Sequence, residues 1–116
     1  MTEFLAAFNA RDEPRWAKTL HFPHVRIASG SVSVVPSEAA FLATTDMDAF
    51  ARQQNWQYSE WDAIEVVQAD PTKVHLKVVF SRFNPQGERY ATFNSLYILQ
   101  RIDGRWAIRG RSSFAP

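Results

Sequence analysis

Cysteine is absent from the 116 residues. That excludes disulfides and thiolate zinc sites and makes the reducing cytoplasm the expected setting. No stretch approaches the roughly 20 apolar residues of a membrane helix, and the opening Met1-Thr2-Glu3-Phe4 lacks the basic and apolar segments of a signal peptide. Neither sign of charge is in excess. The formal balance is +1, so there is no broad positive field to gather nucleic acid or acidic lipid, and neither is an expected partner. Sharp motifs are missing as well: no glycine-rich phosphate loop, nucleophile elbow, His-Glu-x-x-His helix or calcium loop occurs, and no cofactor is expected. His21 and His24 lie on no regular element that would turn both rings to one metal, so no metal site is expected.

The residues that are abundant point to a packed domain with polar groups inside it. Hydrophobic residues make up 46% and aromatics 14%, with four Trp and nine Phe. This is a globular composition, and the chain is long enough to bury a core without staples. There is no repeat, low-complexity tract or linker, so residues 1–116 are read as one domain. Among thirteen basic residues only three are lysine. Arginine's planar fork of donors suits buried ion pairs and oxyanions, so some arginines are expected inside a cavity or interface.

Periodicity places helices first and strands last. Thr2 caps a first helix with Phe4, Leu5 and Phe8 as its apolar stripe. Asp12 caps a short second helix, with Glu13 and Pro14 in its first turn. Val25 and Ile27 alternate with His24, Arg26 and Ala28 in a short strand, and Val32 and Val34 form another after Gly30-Ser31. A third helix starts at the Ser37 cap, and Ala40, Ala43, Met47, Phe50 and Ala51 hold one face of it. Strand pattern then runs from Trp56 to Ala69, slipping near Ser59-Glu60-Trp61 as a β-bulge would. Two more long strands follow, around Val74–Ser81 and Glu88–Arg101. After the hairpin signal Asp103-Gly104, Arg105–Phe114 closes the sheet.

Two segments carry a family resemblance. Phe4-Leu5-Ala6-Ala7-Phe8-Asn9-Ala10-Arg11-Asp12 resembles the first helix of the nuclear-transport-factor-2-like superfamily, an aromatic-rich helix running into Asn-Ala-x-Asp. Asp103-Gly104-Arg105-Trp106-Ala107-Ile108 resembles its terminal Asp-Gly-x-Trp-x-Ile signature. The element order agrees from Thr2 to Phe114. The resemblance implies an α+β fold: a cone-shaped, strongly curved mixed or antiparallel sheet of about six strands, its concave face covered by three helices. It also implies an apolar pocket between sheet and helices and a homodimer through the outer sheet face. The superfamily holds ketosteroid isomerases, cyclases, dehydratases and non-catalytic modules, so fold does not choose among them. The isomerase mechanism needs a Tyr donor, an Asp base and a protonated Asp. Those positions fall here at Phe4, at Ser29, and at or beside Ile98 with Tyr97 its neighbour, so that chemistry is not expected.

Candidate site residues follow from strand parity within that cone. His24, at its mouth, is either a general base or a structural histidine facing solvent or a dimer partner. Asp62, followed by Ile64 and Val66 on one parity, is the acid to test as a base. Arg82 shares parity with Val74, Leu76, Val78 and Phe80; in the pocket it holds a ligand anion, and otherwise it pairs with Glu60, Asp62 or Glu88. Trp56 and Tyr58 are expected as pocket wall, and Tyr90 and Asn94 as pocket hydrogen-bonders. Arg109, Arg111 and Ser113 are expected on the outer face, opposite Trp106, Ile108 and Phe114 in the core. The function this supports is binding of a hydrophobic small molecule, with isomerase, cyclase or dehydratase chemistry if Arg82 holds an anion while His24 or Asp62 moves a proton. The alternative is a non-enzymatic dimeric module whose interior is filled by its own side chains.

Overall fold

The computed structural model describes residues 1–116. Helices α1 (Thr2–Asn9) and α2 (Glu13–Ala17) lead into strands β1 (Leu20–Ala28) and β2 (Ser31–Val35). Helices α3 (Glu38–Thr44) and α4 (Met47–Gln54) follow, then β3 (Tyr58–Ala69), β4 (Lys73–Phe83), β5 (Arg89–Ile102) and β6 (Arg105–Ser113). The six strands form one open sheet in the order β2-β1-β6-β5-β4-β3. Only the β1–β6 pair is parallel, so the sheet is mixed. No helix is long and apolar enough to cross a membrane.

Local chemistry explains most boundaries. The Asp12 carboxylate accepts from Arg15 N–H at 3.1 Å and starts α2, whereas α1 has no side-chain cap, contrary to the expectation for Thr2. The third expected helix is two helices. Thr45 is extended (φ −106°, ψ 121°), and Asp46 then caps a new helix by accepting from Ala49 N–H at 3.0 Å. A β-branched pair, Thr44-Thr45, ahead of a strong N-cap residue favours that restart. Asp103 and Gly104 both take positive φ (53° and 75°), the backbone a two-residue hairpin between twisted strands requires.

The helices cover one face of the sheet. The core between them contains Phe4, Trp16, Leu20, Phe41, Trp56, Leu76, Val78, Tyr97 and Ile108. Asn9 ties the two layers together. Its amide donates to Ser59 O at 2.9 Å and accepts from Ser59 N–H at 2.8 Å, clamping the end of α1 to the start of β3. This is what the Asn-Ala-x-Asp segment does structurally: Asn9 holds the sheet while Asp12 starts α2.

Three one-residue irregularities decide which side chains face the helices. Pairing steps from Trp61↔Phe80 to Ala63↔Val79, leaving Asp62 as the extra residue. It steps from Arg82↔Ala91 to Phe83↔Arg89, leaving Tyr90 extra. It also steps from Leu99↔Ile108 to Ile98↔Gly110, leaving Arg109 extra. Each extra residue shifts the side-chain parity that follows it.

Candidate functional site

Between the concave face and the helices lies a cavity of about 440 Å³, and twelve of its 23 lining residues are hydrophobic. Phe4, Phe8, Trp16, Phe41, Phe50, Trp61 and Phe80 supply aromatic wall. These rings also pack on one another, as in the edge-on contacts of Trp16 with Phe8 and Phe41, both at 5.0 Å. Such contacts hold the wall rigid.

Three arginines enter this apolar space: Arg26 from β1, Arg82 from β4 and Arg111 from β6. None of them forms a salt bridge; the four ion pairs in the chain all lie elsewhere. The one acidic side chain on the wall, Asp46, caps α4. Arg82 is only 5% exposed. Its guanidinium lies over the Phe93 and Phe50 rings at 5.0 and 5.1 Å, and its Nη2 donates to Pro116 O at 3.5 Å. Arg26 donates to Ala115 O at 3.3 Å. Arg111 lies over Phe4 and Trp16 at 5.6 and 5.7 Å. Burial pushes the Arg82 guanidinium below its ordinary value; it does the same to Arg26, where the neighbouring charges of Arg111 and Arg82 add to the effect. Two buried donors on the wall, Arg82 Nε–H and Trp16 Nε1–H, have no hydrogen-bond partner.

His24 and Tyr97 organise this cluster. His24 is 2% exposed. Its Nδ1 lies 3.1 Å from Ile108 O, an acceptor, so Nδ1 carries the proton and donates it. Its Nε2 then accepts from Arg111 Nε–H at 3.1 Å. Burial, followed by the Arg111 charge, pushes the imidazole down to about 3. His24 is therefore neutral at physiological pH, and its free lone pair is spent on Arg111. The Tyr97 hydroxyl is driven up by burial, against the pull of Arg111, Arg26 and Arg82. All three cations thus act on one phenol.

The residues singled out from sequence divide between the two faces. His24 and Arg82 line the cavity; the expectation that His24 faces solvent or a partner gives way to a buried ring. Asp62 does not face the cavity. As the bulged residue of β3 it sits on the opposite face, where it accepts from Ser81 Oγ and lies 3.5 Å from Arg89. Ser81 also contacts Thr92 Oγ1 at 2.9 Å, completing a polar patch there. Asn94 pairs with Val79, on the parity opposite to Phe93, and is exposed. Tyr58 stacks on Phe83 at 4.7 Å outside the cavity. Trp56 is buried core, donating from Nε1 to Ser59 Oγ at 2.9 Å, one layer behind the wall. Tyr90 does not line the cavity, yet its hydroxyl interacts with Arg82, which opposes the upward push of burial on the phenol. His21 is also buried rather than surface-exposed, its Nε2 3.0 Å from Gln100 O and Arg105 O. No cluster of three histidine, aspartate or glutamate side chains forms.

The sequence reading missed Arg26, Arg111, Ser113 and Tyr97 as cavity residues. Arg111 and Ser113 had been assigned to the outer face. The bulge at Arg109 turns them inward along with Ile108, where they pair with Tyr97 and Ser95. The available signal was Gly110, a glycine inside a strand pattern. It packs against β1, where an added Cβ would lie 3.4 Å from Val25 O.

A mixed, open six-stranded sheet covered by helices on one face, with a cavity between, is the cystatin-like cone. The chain belongs to the family described as NTF2-like protein (DUF6841), whose model matches residues 1–113. A protein of unknown function with a cystatin-like fold from Nostoc punctiforme superposes with a TM-score of 0.77 at 9% identity, covering 97% of this chain and 83% of that one. An NTF-2 like protein of unknown function from Shewanella oneidensis gives 0.72 at 13% identity, covering 97% and 91%. A ketosteroid isomerase-like protein from Erwinia carotovora atroseptica gives 0.66 at 17% identity, covering 97% and 88%. At these identities the likeness shows the fold alone. A comparison with curated proteins matched none.

Proposed function

We propose that this protein binds a small molecule with a hydrophobic body in the cavity between sheet and helices. The observation that carries this reading is a cavity of about 440 Å³, mostly apolar, with Arg82 buried in its wall. Ligand sites commonly combine such a volume with a few convergent polar groups. The reading is of binding rather than acid–base catalysis by the two residues first suspected. The His24 lone pair is engaged by Arg111, and Asp62 lies on the other face of the sheet. Phe8, Trp16, Phe41 and Phe80 line the cavity without closing it, which disfavours an interior filled only by the chain's own side chains. A compartment without oxidants, the cytoplasm, suits the cysteine-free chain.

Decanol and decanoate titrated separately in a thermal-unfolding assay test this reading. Stabilisation should grow with ligand concentration, as mass action requires. Val35→Trp, which pushes a large ring into the cavity from β2, should abolish it. No stabilisation by either probe would overturn the reading.

A second copy of the chain on the outer sheet face is the partner we propose. Ile27, Val32, Val34 and Leu96 stand on that face at 50%, 66%, 59% and 39% exposure and form an apolar stripe. Light scattering should give twice the chain mass for the wild type and a monomer for Val32→Lys/Val34→Lys. A monomeric wild type at micromolar concentration would refute the dimer.

A further inference from the structure

We infer that the cavity is a receptor for a doubly charged anionic head group, such as a phosphate monoester or a pair of adjacent carboxylates, held jointly by Arg26, Arg82 and Arg111. This deepens the binding reading above and rests on it.

The inference follows from charge and from unfilled hydrogen bonds. Three guanidiniums face one cavity, and the single acidic side chain on its wall, Asp46, is engaged in capping a helix. Arg82 is buried and Arg26 and Arg111 are half-buried. Cations drawn out of water need compensating charge, because an isolated ion in an apolar setting is very unfavourable. The chain offers Arg26 the carbonyl of Ala115 and Arg111 aromatic faces and a neutral imidazole, none of which carries a negative charge, while Arg82 donates to the backbone oxygen of Pro116, the last residue of the sequence. Counting side chains, three arginines face one aspartate on this wall, an excess of two positive charges that a doubly charged head group would match. The donor side agrees. Arg82 Nε–H and Trp16 Nε1–H, on two residues that line the cavity, are buried without acceptors. A phosphate or dicarboxylate presents several acceptor oxygens, and planar guanidinium forks match that geometry.

The parts divide by role. Arg26 and Arg82 contribute charge directly. Arg111 is held in place by its bond to His24, whose tautomer is fixed by Ile108 O. His24 is thus a positioning residue, and it holds Arg111 without adding a negative charge that would cancel the cation. The ring faces of Phe50, Phe80 and Phe93 around Arg82 supply apolar contact next to the charge. Such a wall suits a ligand with a charged head and an apolar body.

Calorimetric titration of four probes with one tail tests the inference: decyl phosphate, decanoate, decanol and decylammonium. Decyl phosphate should bind tightest and decanol about 10–100-fold more weakly, the scale expected for charge-assisted hydrogen bonds to a buried fork. Decanoate should fall between them, and decylammonium should show no binding. Arg26→Gln and Arg82→Gln should each reduce the preference for decyl phosphate over decanol. Arg82→Lys, which keeps the charge and loses the fork, should keep part of the preference; it also serves if the glutamine variant does not fold. Decanol binding as tightly as decyl phosphate, decanoate binding tighter than decyl phosphate, or glutamine variants with intact preference would each overturn the head-group inference while leaving the hydrophobic pocket standing. Binding of none of the four would bring down the pocket reading itself.

Discussion

Of the seven arginines outside the cavity, three have acidic partners: Arg15 with Glu3, Arg11 with Asp48 and Arg89 with Asp62. In the cavity, Arg26, Arg82 and Arg111 have carbonyls, ring faces and an imidazole instead. The outer arginines need those partners least, because water already solvates them and exposed pairs contribute little. The inner ones need a counter-charge most and have no acidic side chain within ion-pair distance. The one acidic side chain on this wall, Asp46, is used to cap α4. The difference locates the missing charge outside the polypeptide, in a ligand.

The largest expected effect concerns His24. Its folded-state value of about 3 lies below the ordinary 6.5, because burial and the facing charges of Arg111, Arg109 and Arg26 disfavour the protonated ring. The unfolded chain therefore binds the extra proton first as pH falls. The stability this residue gives is fully present above pH 6.5 and is lost progressively as pH drops towards 3, roughly 5 kcal/mol over the whole descent. Urea unfolding of wild type and His24→Asn at several pH values isolates it. The wild type should lose stability faster across this window, and parallel curves would show that the ring is not held neutral.

Next in size is Arg82 itself. Without ligand, Arg82→Met should raise stability by about 1–2 kcal/mol, since replacing a buried uncompensated charge with a well-packed apolar chain is commonly stabilising. The same variant should lose its response to decyl phosphate. A destabilised ligand-free variant would mean that rings and carbonyls already compensate the charge. Smaller still is Asp62→Asn, on the far face from the cavity. Decyl phosphate affinity should stay within about twofold of wild type, far below the scale of a lost charged contact, and a larger change in calorimetry would put Asp62 in communication with the site. Arg15→Ala, which breaks an exposed pair, should change the urea midpoint least of all, and a shift matching that of Arg82→Met would erase the contrast between inner and outer arginines.

How much of this was legible in the sequence depended on bulges. Arg82 could be placed because β4 runs without interruption from Val74 to Phe83, so alternation carried from known core residues to the arginine. Asp62, Tyr90 and Arg109 are each the extra residue of a bulge, and around them parity reasoning failed in the same way. A period of two has no tolerance for a single inserted residue. Arg26 failed for another reason. Its strand does alternate, but the apolar side, Val25 and Ile27, lies on the outer face while His24 and Arg26 line the interior. In a fold with a polar-anchored cavity and an apolar outer stripe, hydrophobicity alone assigns the faces backwards. The helix break at Thr45 was visible only as a cap residue, Asp46, within an otherwise continuous helical stripe. The order of elements, the Asp103-Gly104 hairpin and the caps at Asp12 and Ser37 depend on local chemistry, and these were read correctly.

The central claim is that the three arginines on the cavity wall are completed by an anionic ligand. The tryptophans offer an internal control, because the Trp16 indole N–H has no acceptor whereas that of Trp56 already donates to Ser59. Indole N–H resonances in ¹H–¹⁵N spectra, followed while decyl phosphate is added, read both at once. The account predicts that Trp16 moves downfield while Trp56 stays in place. A stationary Trp16, with shifts confined to the surface residue Trp106, would contradict it.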